Sequence, residues 1–241
     1  MPIGVMINAL AVLLGGSIGA FLSKKIPERL RITLPLIFGV ASMAMGINSI
    51  IKMKLLPVVV LAVIVGTAIG ELIYLEKGIG VLAGKARGPV EKIFKSHSED
   101  PDFLNQFISI VVLFCASGTG IFGALQSGMT GDHTILFSKS ILDFFTAMIF
   151  ATSLGYLVAT ICIPQFVVLI ILFFAAKIIM PMTTPDMLSD FTACGGVLML
   201  ATGLRISGIK SFPIANMLPA MLLVMPLSYL WTAFIVPLLV H

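Results

Sequence analysis

An all-α, polytopic transmembrane helical bundle of about eight spans is the fold that three observations predict. Of 241 residues, 59% are hydrophobic and only 11% are charged, whereas soluble domains carry roughly 25% charged residues. Mean hydropathy is +1.12, more apolar surface than one soluble core buries. Charge-free stretches recur at residues 1–23, 32–51, 55–70, 103–131, 144–176 and 211–240, with a shorter one at 191–204. At about 20 residues per crossing, eight spans use roughly two thirds of the chain. Residues 1–241 therefore read as a single integral membrane domain in contact with the lipid bilayer, with no room for a soluble catalytic domain.

The first span, about 3–22, lacks a basic leader and a small-residue cleavage site, and Lys24 and Lys25 follow it, so it reads as a retained helix. The second and third are about 33–51 and 56–75. Residues 76–103 mix five basic with five acidic side chains and read as a solvated loop. Within it, residues 90–95 fit either a plain loop or a short interfacial helix. A fourth span follows at about 104–125. Residues 144–176 are too long for one crossing, and the Cys162-Ile163-Pro164-Gln165 sequence supplies a Pro-marked break. That gives a hairpin of about 138–161 and 164–181. The last two spans are about 188–207 and 213–236.

Orientation follows from Lys and Arg, which concentrate in short cytoplasmic loops. Loops one, three, five and seven hold eleven of the fifteen basic residues. The expectation is that these loops face the cytoplasm and both termini face out. The basic residues thus orient the chain, and nucleic acid is not an expected partner. Cys115, Cys162 and Cys194 have no paired spacing, and His97, His133 and His241 are scattered. Neither a metal site nor a cofactor nor a conventional enzyme is expected.

Internal similarity appears twice. Residues 10–22 and 61–73 share six identities, including Gly15 with Gly66 and Gly19 with Gly70. Each helix then carries a G-x-x-x-G face that permits close backbone approach, and such faces predict a homo-oligomer. The second similarity pairs Gly39, Ala44 and Gly46 of span two with Gly196, Ala201 and Gly203 of span seven. Those spans run in opposite directions, so this short match reads either as an inverted repeat of the kind that places transporter sites near the membrane midplane or as the chance likeness of two apolar segments.

The polar constellations are few. Gly118, Gly120 and Gly123 spell a G-x-G-x-x-G, but a dinucleotide site needs a preceding strand and a βαβ unit. With Ser117 and Thr119, they fit either a helix break that presents backbone groups beside a cavity or a close helix crossing. The polar segment from Gln126 to His133 includes Asp132 and leads to Lys139 and Asp143, four apart and so on one helix face. An ionisable residue inside a span is expensive enough to suggest function. Counting back from Pro164 puts Asp143 about one turn inside the membrane and Lys139 near the interface, where it can snorkel. Asn8 in the first span and Asn216, near the helix-breaking Pro219, must each find a hydrogen-bond partner. For each, the alternatives are a ligand in a solute site and a link between helices.

Several of these segments, in order, resemble the YqgA/YdfK-like family of bacterial inner-membrane proteins, and look close to its YqgA branch. They are Asn8 to Gly19, Leu113 to Ala124, Gly128 to Asp132, the Lys139-Ser140-x-x-Asp143 set and Asn216 to Ala220. The resemblance implies kinship of fold and location, in a family of unknown function often labelled a putative transport protein, and it brings no catalytic role. Two functions remain open at this level. One is a transporter or channel for a small ion or polar solute, lined by Asn8, Ser117, Gly118, Thr119, Gly120, Asp132, Lys139, Asp143, Asn216 and Pro219. The other is a non-transporting membrane scaffold or assembly subunit, whose glycines and ion pair serve packing alone.

Overall fold

The computed structural model describes residues 1–23, 25–85, 107 and 110–239. Residues 86–106, which contain the 90–95 segment and most of the expected 76–103 loop, lie outside the described residues. Every regular element among those described is helical: α1 (Ile3–Phe21), α2 (Glu28–Ile50), α3 (Leu56–Leu72), α4 (Leu75–Lys85), α5 (Gly118–Thr130), α6 (Thr134–Leu154), α7 (Cys162–Ile179), α8 (Pro185–Ile206), α9 (Ile214–Met217), α10 (Pro219–Leu230) and α11 (Val236–Leu239). A helical stretch at 110–115 precedes α5, a 3-10 segment Gly155–Ile161 joins α6 to α7, and a π-helical turn Trp231–Ile235 follows α10.

Local chemistry explains the boundaries. Pro27 precedes α2, Pro57 and Pro185 stand in the first turns of α3 and α8, and the Thr184 hydroxyl accepts the Met187 N–H as an N-cap. Gly131 closes α5 at φ +75°, a left-handed cap that glycine adopts without steric cost. Gly155 ends α6 at φ 62°, ψ −151°, a region open essentially to glycine alone. The apex of the expected hairpin is therefore the Gly155–Ile161 segment, and Pro164 lies inside α7.

By length and composition, six helical runs can cross a membrane, and α3 with the start of α4, bent by 50°, adds a seventh. One of the six, Thr134–Met182, is 49 residues long and folds back on itself, because Gln165 of α7 donates to Asp143 of α6. Its two legs make eight passes among the described residues, the number the sequence predicts. Their faces divide by polarity. In α1, Gly4, Val5, Asn8, Val12, Gly15, Gly16 and Gly19 are buried, while Met6, Leu10, Leu13, Leu14 and Phe21 are exposed. In a bilayer that exposed apolar face meets lipid, so its exposure carries no hydrophobic penalty.

Glycines fix how the helices pair. A Cβ on Gly15 or Gly19 would strike the backbone of Phe144 or Met148, so α1 lies flush along α6, running the same way. Gly39 faces Gly203 and Gly46 faces Gly196 across an antiparallel α2–α8 contact, and Gly66 and Gly70 of α3 face Ala220 of α10 and Asn216 of α9, again antiparallel. The G-x-x-x-G faces of the two similar segments are thus consumed inside one chain. They leave no glycine face free to drive the self-association they predict.

The α2–α8 register is reciprocal. Gly39 and Gly46 stand 157 positions before Gly196 and Gly203, and each contacts the counterpart of the other. Such exchange is what a two-fold axis in the membrane plane produces. The same shift carries Glu28, which opens α2, onto Pro185, which opens α8, and carries Asn8 onto Gln165. Gln165 Nε2 donates to Asn8 Oδ1 at 2.9 Å, so these counterparts also meet. Contacts at Gly39–Gly203, Gly46–Gly196 and Asn8–Gln165 are thus ones that the 157-residue shift relates, as an inverted repeat requires.

Two polar clusters at opposite ends, one buried and one half-buried, tie the bundle together. Asp190 of α8, wholly buried, accepts the N–H groups of Lys54 and Leu55 at 3.0 and 2.8 Å and the Ser228 hydroxyl at 2.7 Å. It satisfies donors that the start of α3 leaves free. At the other end, Glu76 of α4 accepts from Arg205 Nη1 at 2.8 Å and from the Ala215 N–H at 3.2 Å, and its own N–H donates to Asn216 Oδ1 at 2.7 Å. Residues 75–85 are thus helical and anchored, where the sequence suggests the start of a solvated loop.

Candidate functional site

The most buried spans are Ile110–Thr130 and Pro185–Ile206, with 72% and 67% of their apolar windows inside the protein. The first of these is broken. Its helix stops at residue 115, Ala116 and Ser117 are non-helical, and α5 restarts at Gly118. Ser117 at N-cap makes no side-chain capping bond, and the first N–H groups of α5 have no partner within their own helix. The glycines of the G-x-G-x-x-G segment are therefore the first turns of a half-helix, and the break lies just before them.

Facing this break is a charge network. Asp143 Oδ2 accepts from Lys139 Nζ at 2.5 Å, Gln165 Nε2 at 2.7 Å and Asn8 Nδ2 at 2.9 Å. All four residues are buried, Asn8 and Gln165 at 0% exposure, Lys139 at 2% and Asp143 at 8%. Asp143 stands nine residues into the 21-residue α6, about 13 Å from its start at 1.5 Å per residue, which is near mid-depth of a hydrocarbon core of about 30 Å. Lys139 is consequently not at the interface, as counting back from Pro164 suggests: α6 starts at Thr134 and turns over at Gly155, which draws the lysine into the bundle. Its Nζ sits 5.8 Å from the Phe114 ring centroid, a cation–π distance. Gly120 clears its path, since a Cβ there would lie 2.7 Å from Lys139 Cε.

A cavity of about 30 Å³ opens beside the network, bounded by Ser42 of α2, Ser117 and Thr119 at the break, and Lys139 and Asp143. The Ser42 hydroxyl lies 3.4 Å from that of Thr119 and donates to the Met199 carbonyl at 3.1 Å. Among the described residues, the bonds to Asp143 all fall on Oδ2, which leaves Oδ1 for the cavity that Asp143 lines. Gln165 Oε1 is buried without a donor. A carboxylate with three donors, one of them a cation, is well satisfied at its pairing oxygen, and an ion pair so buried depends on both partners.

Each sequence-predicted position has a definite place. Asn8, Ser117, Gly118, Thr119, Gly120, Lys139 and Asp143 converge here. Asn216 and Pro219 do not: Asn216 belongs to the Glu76–Arg205 cluster, and Pro219 opens α10 one turn further along. Asp132 is also elsewhere, in the connection between α5 and α6, where its N–H donates to the Thr130 hydroxyl and its carboxylate accepts the Thr134 N–H. The three thiols are free, with Cys194 buried. Missed from the sequence were Gln165, which looked like part of a turn, and Ser42, Glu76 and Asp190.

Residues 3–229 fit the family model described as "Protein of unknown function (DUF554)". The chain belongs to the DUF554 family. Its DUF554 relatives include "Uncharacterized protein YqgA" of Escherichia coli (strain K12), 54% identical over 97% of this chain and 99% of the relative. "Uncharacterized membrane protein YdfK" of Bacillus subtilis (strain 168) is 29% identical over 91% and 93%. The resemblance read from the sequence is thereby established. No solved structure matches, so the site of this DUF554 protein is read from its own geometry.

Asp132 carries one pH-dependent feature outside the spans. The Thr134 hydroxyl and then its N–H hold the Asp132 carboxyl below its ordinary range. A carboxyl depressed in the folded state stabilises above its ordinary value near 3.9 and loses that contribution as pH falls through the depressed one. The start of α6 should loosen below about pH 4, seen as faster hydrogen exchange at the Thr134 amide, and Asp132→Asn should remove the acid dependence. Exchange that ignores both would mean the cap is not formed in solution.

Proposed function

We propose that this membrane protein is a transporter or channel for a small ion or polar solute, with the Asn8–Lys139–Asp143–Gln165 network as its central site. The observation that supports this reading is the coincidence of three features: a buried ion pair at mid-depth, the interrupted helix that faces it, and a contact between Asn8 and Gln165, positions related by the same shift as the α2 and α8 glycines. Irregular backbone at membrane depth is tolerated beside protein or a water-lined cavity, and discontinuous helices at a repeat interface are how many secondary transporters build a site. A scaffold would need none of these to coincide with a charge. No catalysis is assigned to the chain.

The test is a flux screen in liposomes over simple ions, protons and organic acids, with Asp143→Asn as the comparison. Loss of a measured flux in the variant supports the reading, and no flux for any solute returns the protein to the scaffold class. The location belongs to the same proposal: the inner membrane, with basic loops cytoplasmic and termini periplasmic. A reporter inserted between residues 86 and 103 should behave as cytoplasmic, and a periplasmic signal would reverse the orientation. Self-association, if the functional unit needs it, must use another surface than the glycine faces; native mass in mild detergent measures it.

A further inference from the structure

We propose that the species carried at this site is the proton, and that Glu76 is its first acceptor at the basic end of the bundle. This rests on the transport reading above and adds its substrate and route. Beside the cavity of about 30 Å³ at Asp143 lies a second of about 10 Å³ between Glu76 and Arg205. Ser117 and Leu113 line both, so the two spaces both border the helix break. About 10 to 15 Å³ accommodates one water. The first cavity therefore has room for one or two waters and the second for about one, which is too little for a hydrated ion or an organic solute.

Charge narrows the choice further. A bare metal cation at Asp143 would sit against the Lys139 ammonium, and an anion at Lys139 would sit against the Asp143 carboxylate. A proton adds the same charge but needs no coordination room beside the ammonium, since it travels along waters and hydroxyls and ends covalently on an oxygen, and Lys139 then sets how readily Asp143 gives it up again. Glu76, with 24% of its side chain exposed, takes a proton from solvent. The proton passes through the small cavity and the Ser117 hydroxyl to Asp143, whose carboxylate becomes a carboxylic acid. Lys139 stays an ammonium, so the pair goes from neutral to singly positive and returns when the proton leaves. The added O–H donor arrives in a cluster that has an acceptor to spare, Gln165 Oε1.

Among the described residues, the groups that face this route are few. Around Asp143 the titratable neighbours are Lys139 on its own helix and Cys115 just before the break. Helices α1, α2 and α7 present only Asn8, Ser42 and Gln165, none of them charged. Around Glu76 stand Arg205 of α8, the Ala215 N–H and Asn216 of α9, and its sequence neighbour Lys77.

The experiment loads liposomes containing the full chain with a pH-sensitive dye and follows an external acid pulse, with sodium, potassium and chloride fluxes measured in the same preparation. Proton entry should fall at least tenfold in Asp143→Asn, in Glu76→Gln and in Ser117→Val, which fills both cavities. Ser117→Ala, which keeps their room, should fall less, and Glu71→Gln, an exposed carboxylate on α3, should be unchanged. Infrared difference spectra on acidification should show a protonated-carboxyl band that Asp143→Asn abolishes. If Glu76→Gln does not fold, Ser117→Val and the infrared band decide. Flux of another ion, lost in Asp143→Asn, with no proton entry would overturn the proton and leave transport standing. Absence of every flux would overturn both, and proton entry indifferent to Ser117→Val would overturn the route.

Discussion

Replacing Asp143 with Leu or Lys139 with Met, one at a time, should cost this protein most of its folded yield. Each single change leaves the other charge at mid-depth without its counter-ion, and breaking a buried pair from one side costs about 3 to 5 kcal/mol. The Asp143 change also strands donors of Asn8 and Gln165, which now give their N–H groups to Oδ2, and a buried unpaired donor adds about 1 to 3 kcal/mol. Losing Asp143 should therefore be the worse of the two. Removing both charges together should recover much of the yield, because two apolar side chains of similar volume often replace a buried pair at no net cost. Folded yield and thermal unfolding in detergent measure the cycle, and flux measures function separately. A double variant that folds and does not transport makes the pair functional as well as structural. One that folds and transports removes it from the pathway.

How far the sequence reveals the site depends on what each residue's partner is. Lys139 and Asp143 are legible because their partner is four positions away, a distance that helix geometry fixes. Gln165 belongs to the same cluster but owes its place to a fold-back at Gly155, and beside Pro164 it reads as turn. The same substitution of apex misplaces Lys139, since a helix counted from Pro164 ends too near the surface. Asn216 is rightly singled out as an amide that needs a partner, yet the partner is Glu76, 140 positions away, in a helix that looks like the beginning of a loop. Asp190 sits near the end of an apolar run, where a carboxylate normally meets water, and nothing in the sequence reveals the Lys54 and Leu55 donors that bury it. The α2–α8 contact is visible in their glycines because close packing leaves only glycine on both sides. Along α1 and α7 the repeat partners share polarity more than identity, Asn8 with Gln165.

Adding one methyl group at Gly15, Gly19 or Gly70 should unfold or rearrange the bundle, against the trend that helix propensity sets. In an exposed helix interior, Gly→Ala gains about 1 kcal/mol. At these three positions the new Cβ would penetrate the peptide backbone of Phe144, Met148 and Asn216, which cannot swing aside as a side-chain end can. Overpacking typically costs about 1 to 3 kcal/mol and sometimes more, and with backbone as the obstacle the upper end applies. The net effect should be destabilising by about 2 kcal/mol or more, seen as a lower unfolding temperature in detergent. Gly80→Ala in α4, where a Cβ meets nothing within 4 Å, should show no such loss. The comparison also separates two uses of a G-x-x-x-G face. If Gly19→Ala left the chain as stable as before but changed its native mass, the glycine would be packing between subunits and the α1–α6 contact would not be the one it serves. Loss of stability at unchanged mass assigns the face to the inside of one chain, where Gly15 and Gly19 bring α1 close enough for Asn8 to reach Asp143.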